Sequence, residues 1–544
     1  MSNVNHVTWQ GIPGVIKPKR DQRMAQWEEL NYGMFIHWGL YSKIGGVWED
    51  EPVTKGYSEQ IQMWANISEE DYLKVASQFT ADQFDADEIC QLAKDAGMTY
   101  VLMTTKHHDG FCMFDTKTTD YNIVEKTPYG KDPLKLLSEA CERHGLKFGI
   151  YYSLVDWHQG HEFDYNNNNP IPEHIEKIIE DQLDELLTNY GEICEIWFDM
   201  SSPTIEQSQK LIDIVRHYQP HAAINSRIWN NMGDFRTLDD NEVPTVTLDG
   251  PWQTPASIYR ETWGYRDWQV REDLKGKVKD LLQALVGDGN YLLNIGPRGD
   301  GSIVPFETEV LQEIGQWLKR HPNMEGLKAT AFDKPTWGKV KENDGSLYLM
   351  IEERPENNTI ELDGLVNNVK TVVEDGQTDA LTWSRDGSKL QIELPNEFKE
   401  SILPVIKVTI EDDLTVIPNK TFLLENDKTI IDVSDCYTGH GYHEEGNYNS
   451  MQQVIVRYTT YLVSHTDESI QIVLKGKAAN DKQYKVCLGQ IEQKVSGQSL
   501  TEGKPLTFNL QANKVEAIHI TLADPSHSGE PIQLELETIE INRV

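Results

Sequence analysis

The feature that most constrains the fold of this chain is a repeat of short apolar segments and longer amphipathic segments that runs to about residue 322. The apolar segment Glu195–Asp199 is too short for a helix and follows a long amphipathic stretch, so it is predicted to be a buried parallel strand. Amphipathic helices are predicted at 85–96, 132–144 and 173–190. Strand and helix recur at roughly 40-residue spacing, which is typical of βα units in an α/β protein.

Five successive predicted strands end in side chains that ionise or form hydrogen bonds. These side chains are His37, the pair His107 and His108, Tyr152, Asp199 and Arg227. The carboxyl ends of parallel strands meet on one face of an α/β barrel, where barrel enzymes keep their catalytic residues. Each residue alone has a structural explanation, such as a satisfied core histidine or a cap on the following turn. Their joint occurrence on one predicted face favours a functional site.

The sequence predicts an α/β barrel followed by β-rich domains. About seven strands can be counted before residue 322, so the eighth strand is inferred. From about residue 327, short β-rich segments alternate with Asn, Asp and Gly turns, a pattern typical of antiparallel sandwiches. We predict a (β/α)8-like catalytic domain at 1–325, a β-sandwich domain at 326–416 and a C-terminal β-sandwich domain at 417–544. The last pattern is compatible with carbohydrate binding, with a spacer role and with dimerisation, so a homo-oligomer is possible.

Composition and charge exclude two classes of partner. The 544 residues carry a formal net charge of −37, and phosphate binding needs a basic face, so no nucleic-acid partner is predicted. No apolar run is long enough to cross a bilayer, so no membrane association is predicted either. The segment 1–10 lacks a basic stretch followed by an apolar core. We therefore expect a cytoplasmic protein, or a secreted one if a signal peptide has been removed.

Paired carboxylates among aromatic side chains point to glycoside hydrolysis. One carboxylate attacks the anomeric carbon or steers water, and the other protonates the leaving oxygen. Asp199 is the first candidate, and the segment 238–244 offers Asp239, Asp240 and Glu242 as the second. Indole faces pack against the C–H faces of sugars. Five tryptophans crowd this part of the sequence: Trp197, Trp229, Trp252, Trp263 and Trp268.

Six motifs between residues 31 and 297 resemble, in the same order, those of the α-L-fucosidases of glycoside hydrolase family 29. They are Gly33–Ser42, Thr105–Phe111, Gly149–Ser153, Ile196–Asp199, Thr262–Tyr265 and Leu292–Pro297. The resemblance implies retaining, exo-acting hydrolysis of terminal α-L-fucose from oligosaccharides or glycoconjugates by a two-carboxylate double displacement. It implies a fucosylated glycan as the partner and no metal or organic cofactor. Linkage preference and aglycone stay open.

Carried over position by position, the resemblance assigns roles to individual residues. It implies that Asp199 is the nucleophile and that Trp263 lies against the methyl group of the sugar. The residues implied to hold the fucose hydroxyls and ring oxygen are His37, Glu59, His107, His108, Tyr152 and Arg227. Relatives carry Trp after the glutamate that matches Glu59, and this chain has Gln60 there.

The acid/base cannot be carried over directly, because the relatives' glutamate is displaced in this sequence. A second glutamate of some relatives is Gln253 here, and an amide cannot act as a general acid. Glu242 is favoured, with Asp240 next, because the longer side chain reaches a leaving oxygen more easily. Asp239 stays a third candidate.

Two other classes of function remain open at this point. A non-catalytic fucose-binding protein would require that the acid/base has been lost. A metal-dependent barrel hydrolase would use the tandem His107 and His108 with Asp109 as ligands. The HxH and HExxH patterns of such hydrolases are missing, so no metal site is predicted.

Overall fold

The computed structural model describes most of the chain. The described residues are 22–161, 170–244, 248, 250–287, 289–324, 327–330, 332–333, 335–400, 402–444, 451–525 and 530–544. The N-terminal segment examined for a signal peptide and the predicted boundary at 325–326 lie outside these residues.

Eight parallel strands form one curled, (β/α)8-like sheet. They are β1 (Tyr32–Ile36), β2 (Tyr100–Lys106), β3 (Lys147–Ser153), β4 (Ile193–Asp199), β5 (Ala223–Ile224), β6 (Arg236–Thr237), β7 (Trp252–Ser257) and β8 (Asn290–Ile295). The order across the sheet is β5-β4-β3-β2-β1-β8-β7-β6. A parallel bridge between Asn225 and Phe235 joins the segments next to the two edge strands. The α/β prediction is confirmed.

The predicted helices form where the sequence supplies their caps. The helix at Ala86–Asp95 begins after Asp85, whose side chain accepts from the amides of Asp87 and Glu88. The helix at Pro133–His144 ends at Gly145, which has the left-handed φ of 71°. The other α-helices are Gln22–Glu28, Leu40–Ile44, Ile61–Trp64, Glu69–Ala76, Ile123–Lys126, Glu173–Asn189, Ile205–Tyr218, Leu274–Val286, Pro305–Arg320 and Gly497–Thr501.

Successive residues of each barrel strand face opposite sides of the sheet, and two separate cores result. One face packs against the helices. The other faces the barrel interior, where an aromatic-rich cluster is buried: Met24, Trp27, Phe35, Tyr100, Leu102, Tyr151, Trp197, Ala223, Phe235, Trp263 and Leu292. The helix Gln22–Glu28 lies at the amino ends of the strands, where Trp27 stacks on Phe235 with ring centroids 4.2 Å apart.

Several antiparallel sheets follow the barrel. A five-stranded and a three-stranded sheet share one core; their strands are Lys328–Ala329, Gly338–Asn343, Ser346–Ile351, Thr359–Leu362, Val369–Glu374, Trp383–Asp386, Lys389–Glu393 and Val405–Ile410. A six-stranded and a four-stranded sheet share another; their strands are Thr421–Leu423, Lys428–Asp432, Tyr437–Glu444, Met451–Val463, Glu468–Ala478, Gln483–Leu488, Ile491–Ser496, Leu506–Leu510, Glu516–Leu522 and Leu534–Arg543.

A membrane span would require one of the helices among the described residues to be both long and apolar. None of them combines enough length with enough apolar surface to cross a membrane.

Candidate active site

The carboxyl ends of the barrel strands surround a cavity of about 140 Å³. Its floor is aromatic, because Phe35, Tyr151 and Trp197 project into the barrel from three different strands. Its walls carry charged and polar groups. The lining residues are Phe35, His37, Tyr57, Glu59, Gln60, His107, His108, Tyr151, Trp197, Asp199, Met200, Arg227, Asp240 and Trp263. These residues come from eight separate stretches of the chain. Six of the stretches precede β6, one follows β6 and contains Asp240, and one follows β7 and contains Trp263.

Asp199 ends β4 and is 7% exposed. The hydroxyl of Tyr151 donates to its Oδ2 at 2.7 Å, and Nη1 of Arg227 donates to its Oδ1 at 2.7 Å. Burial by itself would raise the pKa of Asp199, but the charge of Arg227, followed by His108 and the hydrogen bonds, outweighs it and lowers the pKa. The carboxylate is therefore held in its ionised form.

Arg227 joins two of the three carboxylates that line the cavity, Asp199 and Asp240. It lies in a short helical turn after β5, and its guanidinium packs over the ring of Trp197 with Cζ 4.6 Å from the ring centroid. Its Nη2 donates to Oδ1 of Asp240 at 3.0 Å, while Nη1 binds Asp199. One planar guanidinium therefore holds two carboxylates at its two ends. The stacking on Trp197 fixes the plane in which they are held.

Three histidines line one wall of the cavity. Nδ1 of His37 lies 2.7 Å from Oδ1 of Asn294, and Nδ1 of His108 lies 2.7 Å from Oγ of Ser153. Burial lowers the pKa of His37 to about 3 and that of His108 to about 4, and it also lowers the pKa of His107. The three imidazoles are therefore neutral at neutral pH. A neutral imidazole offers one donor and one acceptor, which suits it to bind sugar hydroxyls.

Glu59 also lines the cavity. It is 2% exposed, and its Oε2 accepts from the amides of Trp263 at 3.2 Å and Gly264 at 2.9 Å. Burial raises the pKa of Glu59 to about 7 despite these hydrogen bonds. The ring of Trp263 lies 5.3 Å from that of His37 and supplies an apolar face. Gln60, which stands in the position of the relatives' Trp, also lines the cavity, and its Oε1 accepts from Trp64 at 3.0 Å.

The structure corrects the prediction for Tyr152. In β3 this residue faces the helices, and its hydroxyl donates to Oε1 of Gln182 at 2.5 Å, away from the cavity. Tyr151 is the tyrosine that faces Asp199. The parallel register pairs Tyr151 with Trp197 and Ser153 with Asp199, so these residues lie on the inner face. Strict alternation counted back from Asp199 identifies Trp197 in the sequence, but identifying Tyr151 also needs the register between the strands.

The acid-rich loop presents Asp240 and not Glu242 to the cavity. Asn241 has a left-handed φ of 61°, and the Glu242 amide donates to the Asp239 carbonyl at 3.0 Å, which closes a tight turn. The Glu242 carboxylate folds back to accept from the Asp239 amide at 3.3 Å. The side chain of Asp240 is 32% exposed at the cavity mouth. Burial, followed by the charge of Glu242, raises the pKa of Asp239, which does not line the cavity.

Most of the other residues that the sequence predicts for the site line the same cavity. His37, Glu59, His107, His108, Arg227 and Trp263 line the cavity together with Asp199. Of the five tryptophans near the acids, Trp197 and Trp263 do so, whereas Trp229, Trp252 and Trp268 do not. The sequence reasoning missed Phe35, Tyr57, Tyr151 and Met200. Phe35 lies two residues from His37 along β1, so strand alternation was an available signal for it, whereas Tyr57 precedes a short helical turn and had no such signal.

A metal site needs several His, Cys, Asp or Glu side chains that converge on one point. Among the residues that the structure describes, no three His, Cys, Asp or Glu side chains converge as the ligands of one ion would. His37 and His108 direct a ring nitrogen to the neutral partners Asn294 and Ser153.

A (β/α)8-like sheet that carries two guanidinium-linked carboxylates in an aromatic-floored pocket defines a glycoside hydrolase. The sequence profile of the family described as Alpha-L-fucosidase matches residues 13–323. This match covers more than half of the chain. The chain belongs to the α-L-fucosidases of glycoside hydrolase family 29, and its reaction is the hydrolysis of α-L-fucosides.

Individual relatives agree with this assignment. The human tissue α-L-fucosidase is 28% identical over 412 residues, which cover 70% of this chain and 87% of the relative. A structure of a family 29 enzyme from Bacteroides thetaiotaomicron, described as a trapped covalent intermediate, matches with 25% identity and a TM-score of 0.65 over 72% of this chain and 97% of its own. The α-L-fucosidase of Vibrio sp. strain EJY3 has 24% identity and a TM-score of 0.68, and it covers 96% of this chain and 98% of its own, so the fold likeness extends into the antiparallel sheets.

Proposed function

We propose that Asp199 is the nucleophile and Asp240 the acid/base in retaining, exo-acting hydrolysis of terminal α-L-fucose. The observation that carries this proposal is the Arg227 guanidinium, which donates at 2.7 Å to Asp199 and at 3.0 Å to Asp240. Catalytic carboxyl groups are about 5–5.5 Å apart in retaining enzymes and about 6.5–9.5 Å apart in inverting ones. A single guanidinium that spans both carboxylates favours the shorter separation.

The two steps use the same two residues in opposite senses. In the first step a carboxylate oxygen of Asp199 bonds to the anomeric carbon, the glycosidic C–O bond breaks, and the proton of Asp240 moves to the leaving oxygen. In the second step Asp240 takes a proton from water, the water oxygen attacks the same carbon, and Asp199 leaves as the carboxylate. Arg227 favours the ionised form of Asp199 at the start and at the end of this cycle.

The walls of the cavity fit a single deoxysugar. His37, His107 and His108 bind hydroxyls as neutral imidazoles, and Glu59 is held by backbone amides in a position to bind another. The Trp263 ring provides the apolar surface that a methyl group needs. A cavity of about 140 Å³ with an aromatic floor admits the end of a glycan and not its interior, which supports exo-action.

We also propose that the sheet closes as a (β/α)8 barrel in a domain at 1–325, with sandwich domains at 326–416 and 417–544. The bridge between Asn225 and Phe235 supports closure. Two separate hydrophobic cores beyond the barrel support two sandwiches. Trp317 donates to the Leu403 carbonyl at 3.3 Å and so joins the barrel to the first of them.

The experiment that tests the acid/base compares Asp240→Ala with Glu242→Ala on two substrates. A nitrophenolate leaves without a proton, whereas a sugar alkoxide needs one, and general-acid catalysis contributes about 10²–10⁴-fold. Asp240→Ala should lose that factor on a fucosylated oligosaccharide and much less on an aryl fucoside in the first step. Added azide should restore turnover of the aryl fucoside and give an α-fucosyl azide, because azide attacks the same intermediate as water.

Glu242→Ala and Asp239→Ala are the matched controls, since they remove neighbouring acids that do not line the cavity. Both should keep activity on both substrates. Azide rescue of Glu242→Ala with no effect on Asp240→Ala would overturn the choice of acid. Folded parent protein without turnover of any fucoside would instead indicate a fucose-binding protein.

A further inference from the structure

Below the cavity, the barrel interior contains a second, fully buried polar layer. The amide of Gln253 and the carboxylate of Glu195 are both 0% exposed. Nε2 of Gln253 lies 2.9 and 3.1 Å from the two carboxylate oxygens of Glu195, and the indole N–H of Trp27 donates to Oε2 at 2.6 Å. A buried polar group that loses its hydrogen-bond partner is left desolvated and unpaired, which costs free energy. The hydrogen bonds of this layer therefore hold its side chains in one arrangement.

This layer is joined to the cavity by one hydrogen bond. Nε1 of Trp197, a cavity residue, donates to Oε1 of Gln253 at 2.7 Å. The indole N–H of Trp197 can only donate, so it takes the carbonyl end of the Gln253 amide, and the NH₂ end lies against the oxygens of Glu195. Glu195 thereby holds the amide with its carbonyl end toward the indole.

Trp197 in turn supports the charged groups of the reaction. Arg227 packs over its ring, and the ring of Tyr151 stacks beside it with centroids 5.8 Å apart. Arg227 and Tyr151 are the two residues that donate to Asp199 at 2.7 Å. The orientation of the Trp197 indole therefore bears on both donors of the nucleophile at once.

We propose that Gln253 is a positioning residue for the hydrolysis: oriented by Glu195, it fixes the Trp197 ring that holds Arg227 and Tyr151 against Asp199. The inference rests on the proposed roles of Asp199 and Arg227. Gln253 does not line the cavity, so it acts through Trp197 and does not contact the sugar. The Gln253 amide cannot act as the acid/base, but on this inference it positions Trp197 for the same reaction.

The test begins with Gln253→Leu, which keeps the size of the side chain and removes the acceptor of the indole N–H. With the ring no longer fixed, Arg227 and Tyr151 bind Asp199 less well. We expect kcat on an aryl fucoside to fall about 10- to 100-fold, the effect of weakening one or two hydrogen bonds to a charged group. The acidic limb of the kcat/KM profile should move to higher pH, because the two donors lower the pKa of Asp199.

Gln182→Leu is the matched control for the loss of a buried glutamine. Gln182 is 1% exposed and binds Tyr152 and Thr118 behind the barrel wall. It should lower the melting temperature without moving the acidic limb. A second comparison uses Trp197→Phe alone and combined with Gln253→Leu. If Gln253 acts through Trp197, the double variant loses no more activity than Trp197→Phe does.

Gln253→Glu supplies a variant that keeps the shape of the site. Its carboxyl can still accept from Trp197 and, when protonated, can donate to Glu195. The other titratable groups beside this position are Tyr100 and Cys194, and the remaining neighbours, Trp27 and Asn290, are neutral. Activity should approach that of the parent at acid pH and fall as rising pH removes the shared proton and leaves two adjacent buried carboxylates.

The outcomes separate this inference from the proposed function. A folded Gln253→Leu protein with the kcat and acidic limb of the parent overturns the positioning role. If Gln253→Leu does not fold, a pH profile of Gln253→Glu that matches the parent overturns it as well, as does additive loss in the double variant. Failure of the proposed function would show instead as turnover by an Asp199→Asn protein, whatever the Gln253 variants do.

Discussion

Glu195 and Asp199 lie on the same face of the same strand, four residues apart, and have opposite protonation behaviour. Both are buried, at 0% and 7% exposure. Glu195 accepts hydrogen bonds from the neutral donors of Trp27 and Gln253, and burial raises its pKa to about 7. Asp199 faces Arg227, whose charge overcomes burial and lowers the pKa. The comparison teaches that a neighbouring cation, and not burial, keeps a buried carboxylate ionised.

The same contrast separates the two ends of the barrel interior. At the amino ends of the strands, Glu195, Gln253, Trp27 and Tyr100 form a layer whose charged group is balanced by hydrogen bonds alone. At the carboxyl ends, Arg227 stands between two carboxylates and a cavity. The first layer has a structural arrangement without a cation, whereas the second contains the charged groups that we propose take part in the reaction.

The largest effect is expected for Asp199→Asn. It removes the carboxylate that we propose as the nucleophile, but it keeps the volume of the side chain and one acceptor oxygen for Arg227. Turnover of an aryl fucoside should fall at least about 10³-fold, as for other catalytic nucleophiles. Steady-state kinetics measure the loss, and circular dichroism shows whether the fold is kept.

The product of Asp199→Ala with azide sharpens this prediction. Azide takes the place of the missing carboxylate and attacks from the same side, so the product should be the β-fucosyl azide. Parent enzyme should release α-fucose first, as early NMR of the product can show. Parental turnover by a folded Asp199→Asn protein, or β-fucose as the first product of the parent, would contradict the nucleophile role.

A smaller effect is expected at the two adjacent tyrosines of β3. Tyr151→Phe removes a hydrogen bond to the ionised Asp199, and such bonds contribute about 1.5–3 kcal/mol. It should lower kcat/KM about 10- to 100-fold and move the acidic limb to higher pH, because that hydrogen bond lowers the pKa of Asp199. The pH dependence of kcat/KM measures both.

Tyr152→Phe is the control, one residue away on the other face of the strand. Its hydroxyl binds Gln182, so its loss should reduce stability by about 1 kcal/mol and leave kcat/KM within about threefold of the parent. If Tyr152→Phe instead raises KM strongly and Tyr151→Phe does not, the assignment of faces in β3 is wrong.

The last prediction, Glu195→Gln, concerns stability and not turnover. The pKa of Glu195 is about 7 in the folded protein, against an ordinary value near 4.5. The stability linked to this raised pKa is present in full below about pH 4.5 and is lost as pH rises through about 7. Glu195→Gln cannot titrate, so its free energy of unfolding relative to the parent should improve by on the order of 3 kcal/mol between those limits.

Thermal unfolding of both proteins across that pH range measures the difference. Glu59 and Glu307 also have pKa values raised to about 7 by burial, but both are present in parent and variant and cancel. A difference in stability that does not change with pH would show that Glu195 keeps its charge throughout, and the comparison with Asp199 would then be incorrect.

Much of the barrel was predictable, but not all of its strands. The helices and the strands ending at His37 and Asp199 follow from local periodicity and caps. Strands β6 and β7 are the least evident in the sequence, because β6 has only two residues and Pro255 interrupts β7. A proline has no N–H to donate to a neighbouring strand. Pro255 is tolerated because β6 pairs only with Trp252 and Gln253 of β7, so no residue of β6 lies opposite Pro255.

The candidate site was predictable where a residue acts from a strand end. Asp199, His37 and Arg227 belong to this group. Tyr152 was chosen wrongly because the phase of β3 depends on its neighbours, and irregular register occurs where β3 meets β2 and β4. The preference for Glu242 over Asp240 rested on side-chain length, whereas a left-handed turn at Asn241 decides which carboxylate points inward in the structure.

The sequence by itself determined the order of strands and helices, the caps and the strand-end position of Asp199. Alternation and capping act over a few residues, so they can be read locally. Only the tertiary structure decided which tyrosine faces Asp199 and that Asp240 shares Arg227 with it. It also decided that the pKa of Glu195 is raised and the pKa of Asp199 is lowered. Those outcomes depend on solvation and on partners from distant strands, because the free energy of a buried charge is set by the groups that fold around it.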